Sequence, residues 1–224
     1  MLITYHGHSE FILESSDGFI LALDPFDAHV GYPMHEYFAD VVSVSHQHSD
    51  HNYTEKIKGL PQIISKAGKT QVREDISITQ IDAFHDDDEG ALRGHTFLTL
   101  IEMDGLRLLH AGDLGTKLTE EQVAEIGQVD VLFIPVGGYY TIDAPQALET
   151  VRTLSPTLTL PMHYKTACNA SWPIASLGDF VRVLSSNDVV EMPLLRITKE
   201  DISCAPPFIA LIPYGSSNQM EETE

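Results

Sequence analysis

The chain has little of what several protein classes require. It carries two cysteines in 224 residues, Cys168 and Cys204, too few for a disulfide framework and in keeping with a reducing compartment. No apolar run approaches the roughly twenty residues needed to span a bilayer. The opening Met1-Leu2-Ile3-Thr4 lacks the basic region and apolar core of a signal peptide, so a cytoplasmic location is expected. Positive charge is scarce: 13 Lys and Arg stand against 33 Asp and Glu, a formal net charge of −20 at pH 7. Phosphate backbones are bound by Lys and Arg that displace counterions, and no basic cluster stands out to do so. Nucleic acid is therefore a poor partner and a small molecule a better one. Linkers, internal repeats and low-complexity blocks are missing too, apart from the acidic ending Glu221-Glu222-Thr223-Glu224. With 43% hydrophobic residues, the chain reads as a single domain over 1–215 and a frayed tail over 216–224.

What is present in strength is histidine, and its densest stretch is His46-Gln47-His48-Ser49-Asp50-His51. It directly follows the apolar, β-branched run Val41-Val42-Ser43-Val44-Ser45. Residues two apart in extended backbone point to the same side, so His46 and His48 can aim at one point as the strand ends. Asp50 and His51 come where the chain must turn and can reach a second point nearby. A hard carboxylate among imidazoles suits Zn, Mn or Fe and is poor chemistry for a core.

The remaining pattern is mixed α/β. Leu2–Tyr5, Glu10–Glu14 and Phe19–Leu23 read as short strands with a turn at Ser16-Asp17-Gly18. Ile76–Phe84, Thr96–Glu102 and Arg107–Leu109 form a second run, with Met103-Asp104-Gly105 turning the last pair. Capping boxes at Thr119 and Asp143 predict helices to about Ile126 and Leu154, and a third helix is expected from Ile174 to Ser185. Val129–Val136 is a nearly continuous apolar run, as in a strand covered on both faces, and Thr157–Pro161 is another strand.

The pattern His-x-His-x-Asp-His resembles the signature of the metallo-β-lactamase superfamily. Leu23-Asp24-Pro25, His85, Ala111-Gly112-Asp113 and Met162-His163-Tyr164 follow in the order that family shows. Gly7-His8-Ser9 and Val136-Gly137-Gly138 look like the branch containing ascorbate-6-phosphate lactonase and N-acyl-phosphatidylethanolamine phospholipase D. The resemblance implies an αββα four-layer sandwich and two divalent ions, Zn first, with Mn or Fe as alternatives. It implies that His46, His48 and His85 hold one ion, that Asp50, His51 and His163 hold the other, and that Asp113 bridges them. Such ions sit about 3.5–4 Å apart and share a hydroxide, which attacks a carbonyl or phosphoryl centre without a Ser or Cys nucleophile. Asp50, Asp113 and His110 are the catalytic candidates in this reading.

Several positions stay open at this stage. His85, His95 and His110 all follow or begin predicted strands, and the motif position favours His85 as the third ligand. His110 and His95 are alternatively substrate-facing or structural. Asp24 is placed to orient a ligand imidazole. His8, with His6 two residues earlier, can approach the site, and Lys165 can meet an anionic substrate group. Tyr139 and Tyr140 are candidates for the pocket wall, and Asp27–Glu36 for a lid. Asp86-Asp87-Asp88-Glu89 reads as a solvated acidic run that favours cations or repels anions. The apolar strand Phe208–Ile212 is the best contact for a sheet edge or a homo-oligomer. A hydrolase of small esters, lactones, amides or phosphodiesters is the leading expectation. A metal-binding protein without turnover and a di-iron redox protein are the alternatives.

Overall fold

Alternating side chains divide the N-terminal strands into two faces, and each face finds its own cover. Ile3, Tyr5, Phe11, Leu13, Leu21, Leu23 and Val41 enter the main core, while Ala22, Val42 and Val44 form a smaller cluster with Ala39 and Ile57. The structure is a computed structural model that describes residues 1–184 and 189–215. The tail over 216–224 and the end of the third predicted helix at Ser185 lie outside the described residues.

Two sheets face each other across the main core. The six-stranded sheet runs in the order Leu195–Arg196, Leu2–Gly7, Glu10–Glu14, Ile20–Leu23, Val41–Ser43, Gln62–Ile64. Its pairs are antiparallel up to Ile20–Leu23 and parallel beyond it. The eight-stranded sheet runs in the order Val189–Glu191, Phe208–Leu211, Leu158–Met162, Val131–Pro135, Leu106–His110, His95–Met103, Ile76–Phe84, Gly68–Arg73. It is parallel as far as Leu106–His110 and antiparallel thereafter. Val131–Pro135 is buried at every residue, as its unbroken apolar run predicts, and packs against the helix Ala144–Leu154. Each fully buried Leu, Ile or Phe in this core contributes about 1.5–3 kcal/mol.

Both predicted capping boxes are formed: Thr119 caps Glu120–Ile126 and Asp143 caps Ala144–Leu154. The third helix is shorter than predicted, Leu177–Val183, because Ser176 caps it. The architecture is the metallo-β-lactamase sandwich, with its regular helices concentrated on the C-terminal side. Over the N-terminal sheet the described residues place a two-stranded ribbon, Tyr37–Phe38 with Ile57–Lys58, and single 3₁₀ turns. Phe208–Leu211 is not an edge: it pairs with Leu158–Met162 on one side and Val189–Glu191 on the other. Its apolar residues serve an interior strand, which corrects the expectation of an exposed contact there. No helix among the described residues is long and apolar enough to cross a membrane.

Strand direction collects the chemistry at one rim. Leu2–Gly7, Ile20–Leu23 and Val41–Ser43 run in the same sense and lead into His8, Asp24 and His46. Ile76–Phe84, Leu106–His110 and Leu158–Met162 likewise share one sense and lead into His85, Asp113 and His163. Side chains on loops at the ends of rigid strands are held in place yet remain open to a ligand.

Candidate metal centre

The seven residues that the sequence singles out as ligands converge at this rim. Donor atoms of His46, His48 and His85 lie within 4.8 Å of one another, as do those of His8, Asp50, His51 and His163, and those of His46, His51 and Asp113. Asp113 sits between the groups: its Oδ1 is 3.2 Å from His51 Nε2, and its Oδ2 is 3.3 Å from His85 Nε2 and 3.4 Å from His163 Nε2. Neighbouring donors around a tetrahedral ion with bonds of about 2.0–2.1 Å are about 3.3 Å apart. The spacing fits ligands better than it fits hydrogen bonds.

Buried polar atoms normally find partners. Among the described residues, six of the eight buried side-chain nitrogens and oxygens that lack one lie on this cluster. They are His46 Nε2, His51 Nε2 and Asp113 Oδ1 at the centre, and the Nδ1 atoms of His8, His85 and His163, rings whose Nε2 atoms face Asp50 or Asp113. Nitrogen and carboxylate donors of this kind suit a borderline divalent cation. The residues present therefore fit the metal that the family resemblance implies.

Electrostatics point the same way. Burial and the neighbouring His51 push His46 down to about 3, and burial with His163 pushes His8 down to about 4, so both imidazoles are neutral. Burial disfavours charge on His51 as well, but the Asp113 and Asp50 carboxylates outweigh it and raise that imidazole well above its usual range. Asp113 is buried, yet His163 and His51 hold its carboxyl well below the ordinary value. The pocket demands positive charge beside His51 Nε2.

A hydrogen-bond network fixes how the ligand rings face. Asp24 Oδ2 accepts from His51 Nδ1 at 2.9 Å and from Ser45 Oγ at 2.6 Å, while Oδ1 accepts from the Ser45 backbone N–H at 2.7 Å. Because the Ser45 hydroxyl is spent on Asp24, it accepts from His46 Nδ1 at 2.9 Å. One carboxylate thus leaves the Nε2 lone pairs of both His46 and His51 facing the centre. Ser45 was not singled out in the sequence, since nothing in its neighbours marks it. On the opposite sheet Gly112 has φ +51°, and a Cβ there would meet Thr96 Oγ1 at 2.6 Å and Ser45 Cβ at 2.9 Å. Only glycine lets Asp113 approach this closely.

The other sequence candidates divide. His8 is fully buried, with Nε2 3.2 Å from Asp50 Oδ2 and its ring 4.3 Å from that of His163. His6 instead meets Glu10 at 3.2 Å, on a buried Glu10–Lys56 pair. His110 does not reach the centre: its Nε2 donates to the Ser9 carbonyl at 2.9 Å, and its ring lies beside Phe11 and Phe133. This corrects the catalytic expectation for His110, which is packed behind Asp24. His95 is exposed and bonded to Asp82 at 3.0 Å. The Lys165 backbone N–H bonds the Ala175 carbonyl at 2.8 Å, and its side chain is not among those lining the cavity.

A cavity of about 470 Å³ opens over the donors, and its wall includes His29, Arg93, Tyr140, Ser171, Trp172 and Pro173. Tyr140 reaches it, whereas Tyr139 is 65% exposed. Of the proposed lid only His29 lines the cavity; Phe26, Val30 and Tyr32 are buried against Cys168 and Trp172. The segment is anchored at Val30 and Tyr32, while Ala28, Gly31, Pro33, Met34 and Glu36 are exposed. The acidic run is also reordered: Asp86 is only 2% exposed, with Asp87, Asp88 and Glu89 outside it. Its carboxylate accepts four backbone N–H groups, from Asp88, Gly90, Leu92 and Arg93, at 2.6–3.0 Å. Burial would raise its pKa, but those N–H groups hold it low. An acid that looks solvated in sequence is the hub of a loop.

Known proteins match this chain in sequence and fold. The sequence profile of the β-lactamase superfamily domain covers residues 2–163. The chain belongs to the metallo-β-lactamase superfamily. It is 30% identical over 202 residues to a UPF0173 metal-dependent hydrolase of Pyrococcus furiosus, covering 76% of this chain and 85% of that protein. A structure from Thermotoga maritima, described as a candidate Zn-dependent hydrolase of the metallo-β-lactamase superfamily, matches with TM-score 0.74 and 33% identity. That match covers 94% of this chain and 97% of the other. Igni18, a metallo hydrolase from Ignicoccus hospitalis, matches with TM-score 0.55 and 27% identity over 73% of this chain and 82% of its own.

Proposed function

We propose that this member of the metallo-β-lactamase superfamily is a binuclear metal-dependent hydrolase of a small molecule, cleaving an ester, lactone, amide or phosphodiester. The observation that carries the reading is the convergence of His and Asp donors on both sides of Asp113, with His46 Nε2, His51 Nε2 and Asp113 Oδ1 buried and unpartnered, beneath a cavity lined by His48, Asp50, His85, Asp113 and His163. His46, His48 and His85 would hold one ion, and Asp50, His51 and His163 the other, with His8 beside them and Asp113 between. Divalent ions there supply Lewis acidity and lower the pKa of water from about 15.7 toward 7.

The protein's own contribution is orientation and exclusion of solvent. Asp24 holds the proton on His51 Nδ1 and, through Ser45, the proton on His46 Nδ1, so neither ring can turn its N–H toward the centre. Asp113 and Asp50 bring negative charge that offsets the ions. Trp172 and Tyr140 wall the cavity, and its size suits a small ligand. Ser171 lines it too, yet no imidazole among the described residues is hydrogen-bonded to its hydroxyl, so a serine nucleophile has no base. The net charge of −20 favours a small substrate over nucleic acid. The free thiols of Cys168 and Cys204 suit the cytoplasm.

The test is anomalous diffraction at the metal edges on protein purified without added metal or chelator, followed by a panel of lactones, esters, amides and phosphodiesters. Two peaks flanking Asp113 and chelator-sensitive turnover are expected. A single peak after reloading with Zn and Mn would reject the binuclear reading. Stoichiometric metal without turnover across the panel would leave a binding protein.

A further inference from the structure

The cavity contains one feature that metal ligation leaves unused. Arg93 is half-buried in its wall and also lines an adjoining cavity of about 400 Å³, reached past His46 and His48. The chain has 33 acidic side chains against 13 basic ones, and exposed Lys and Arg pair with several of them. Among the described residues the Arg93 guanidinium has neither a carboxylate nor a hydrogen-bond acceptor; its only contact of note is the Tyr140 ring, 5.5 Å from its centroid. A half-buried guanidinium with five unpaired donors at the cavity wall is suited to an acceptor that arrives with the ligand.

The backbone beneath it is built for the purpose. The Arg93 N–H donates to Asp86 Oδ2 at 2.6 Å, the shortest of the four bonds that wrap the loop around that buried carboxylate. The same loop begins at His85, a candidate ligand, so the guanidinium and the metal centre share one rigid support. Asp86 is spent on backbone N–H groups and forms no ion pair with the Arg93 guanidinium, while Asp87, Asp88 and Glu89 are exposed on the loop.

Resting on the hydrolase reading, we propose that Arg93 is the specificity residue of this site and binds a carboxylate carried by the substrate away from the scissile bond. The planar fork of Arg93 matches the two oxygens of a carboxylate. A single guanidinium balances a single charge, and the described lining residues add no Lys or second Arg that a dianionic phosphate would call for. His29 is itself bonded to Asp27 at 3.0 Å. Tyr140 and Trp172 then face the apolar part that joins the two ends of the ligand.

The test reads binding rather than turnover, so it stands apart from the hydrolase assay. Succinate, glutarate and adipate, each beside its own monoamide, are titrated calorimetrically into the Zn-loaded protein. In the wild type, at least one diacid binds about ten-fold or more tightly than its monoamide, the worth of a charge-assisted hydrogen bond. Arg93→Gln brings that ratio to within about two-fold, and Arg93→Lys, which keeps the charge but not the fork, gives an intermediate ratio. A ratio near one at all three lengths in the wild type overturns the assignment, as does a preference that survives Arg93→Gln. The wild-type comparison decides the matter even if a variant fails to fold. Failure of the hydrolase reading would appear separately, as absent hydrolysis beside intact diacid discrimination.

Discussion

The donor groups on the two sides of Asp113 are built in different ways. On one side His8, His51 and His163 are fully or almost fully buried, and each is tied: His51 to Asp24, His8 to Asp50, and the His163 backbone N–H to the His8 carbonyl at 2.8 Å. His8, Asp24 and His163 also sit at positive φ, +55°, +45° and +51°. Backbone in that region costs about 1–3 kcal/mol per residue and persists only when its surroundings determine it. On the other side His46, bonded through Ser45, and His85, whose backbone N–H meets the Gly94 carbonyl at 3.0 Å, are buried, but His48 is exposed. The first half is the more ordered, and the contrast lies chiefly in His48.

Four measurements would break or sharpen that contrast. Asp113→Ala removes the one residue that both halves share, so metal analysis should find both ions lost. Turnover should then fall by about a thousand-fold or more, because several kcal/mol of charge stabilisation are forfeited. Survival of one ion would show that the halves are independent. Asp24→Ala unties His51 directly and His46 through Ser45, so competition with a chelator should show affinity weakened on both sides by about 10–100-fold, the usual effect of removing a partner that orients a ligand. Unchanged affinity would remove Asp24 from the orientation of either half.

The metal-free protein should respond to acid through the ordered half. His8 has a folded pKa of about 4, below the unfolded 6.5, so its contribution is present above pH 6.5 and is lost as pH falls toward 4. That contribution is at most about 3 kcal/mol, and His8→Gln should flatten the pH dependence of chemical denaturation in that window. His51 acts in the opposite sense: its raised pKa gives stability below pH 6.5 that fades as pH climbs through the folded value. An identical acid limb in the variant would remove His8 from the account. The smallest effect belongs to Ser45→Ala, which frees His46 from its anchor while the direct His51–Asp24 bond and the Ser45 backbone bond to Asp24 remain. A loss of about 1 kcal/mol, roughly five-fold in affinity, is expected at one ion while the other is spared.

The parts of this site that could be read from the sequence are those whose role lies in local order. His46 to His51 follow a strand within one hexapeptide, and His85, Asp113 and His163 each come directly or shortly after an apolar strand. The capping boxes at Thr119 and Asp143 were legible for the same reason. What was hidden depends on how the chain folds back. Ser45 matters because of the distant Asp24, Asp86 because its own loop closes on its carboxylate, and Arg93 because among the described residues no carboxylate meets it. His110 misled because a strand-end histidine near Asp113 is indistinguishable in sequence from a ligand; the Phe11 and Phe133 rings that confine it come from other strands. Phe208–Leu211 resembled an edge because Val189–Glu191, its outer neighbour, is too short to stand out.

Each donor group draws on both sheets. His46, His48, Asp50 and His51 extend from the six-stranded sheet, and His85, Asp113 and His163 from the eight-stranded one. An ion held by such a set is a cross-link between the two halves of the sandwich, absent from the unfolded chain. By mass action, free metal at a hundred times its dissociation constant would add about 2.7 kcal/mol to the folded state for each site. That is enough to lower the unfolded, protease-sensitive population about a hundred-fold. On the proposed metal loading, the lifetime of the folded protein would be tied to metal supply, and removal of the ion would expose the polypeptide to proteolysis as well as end turnover.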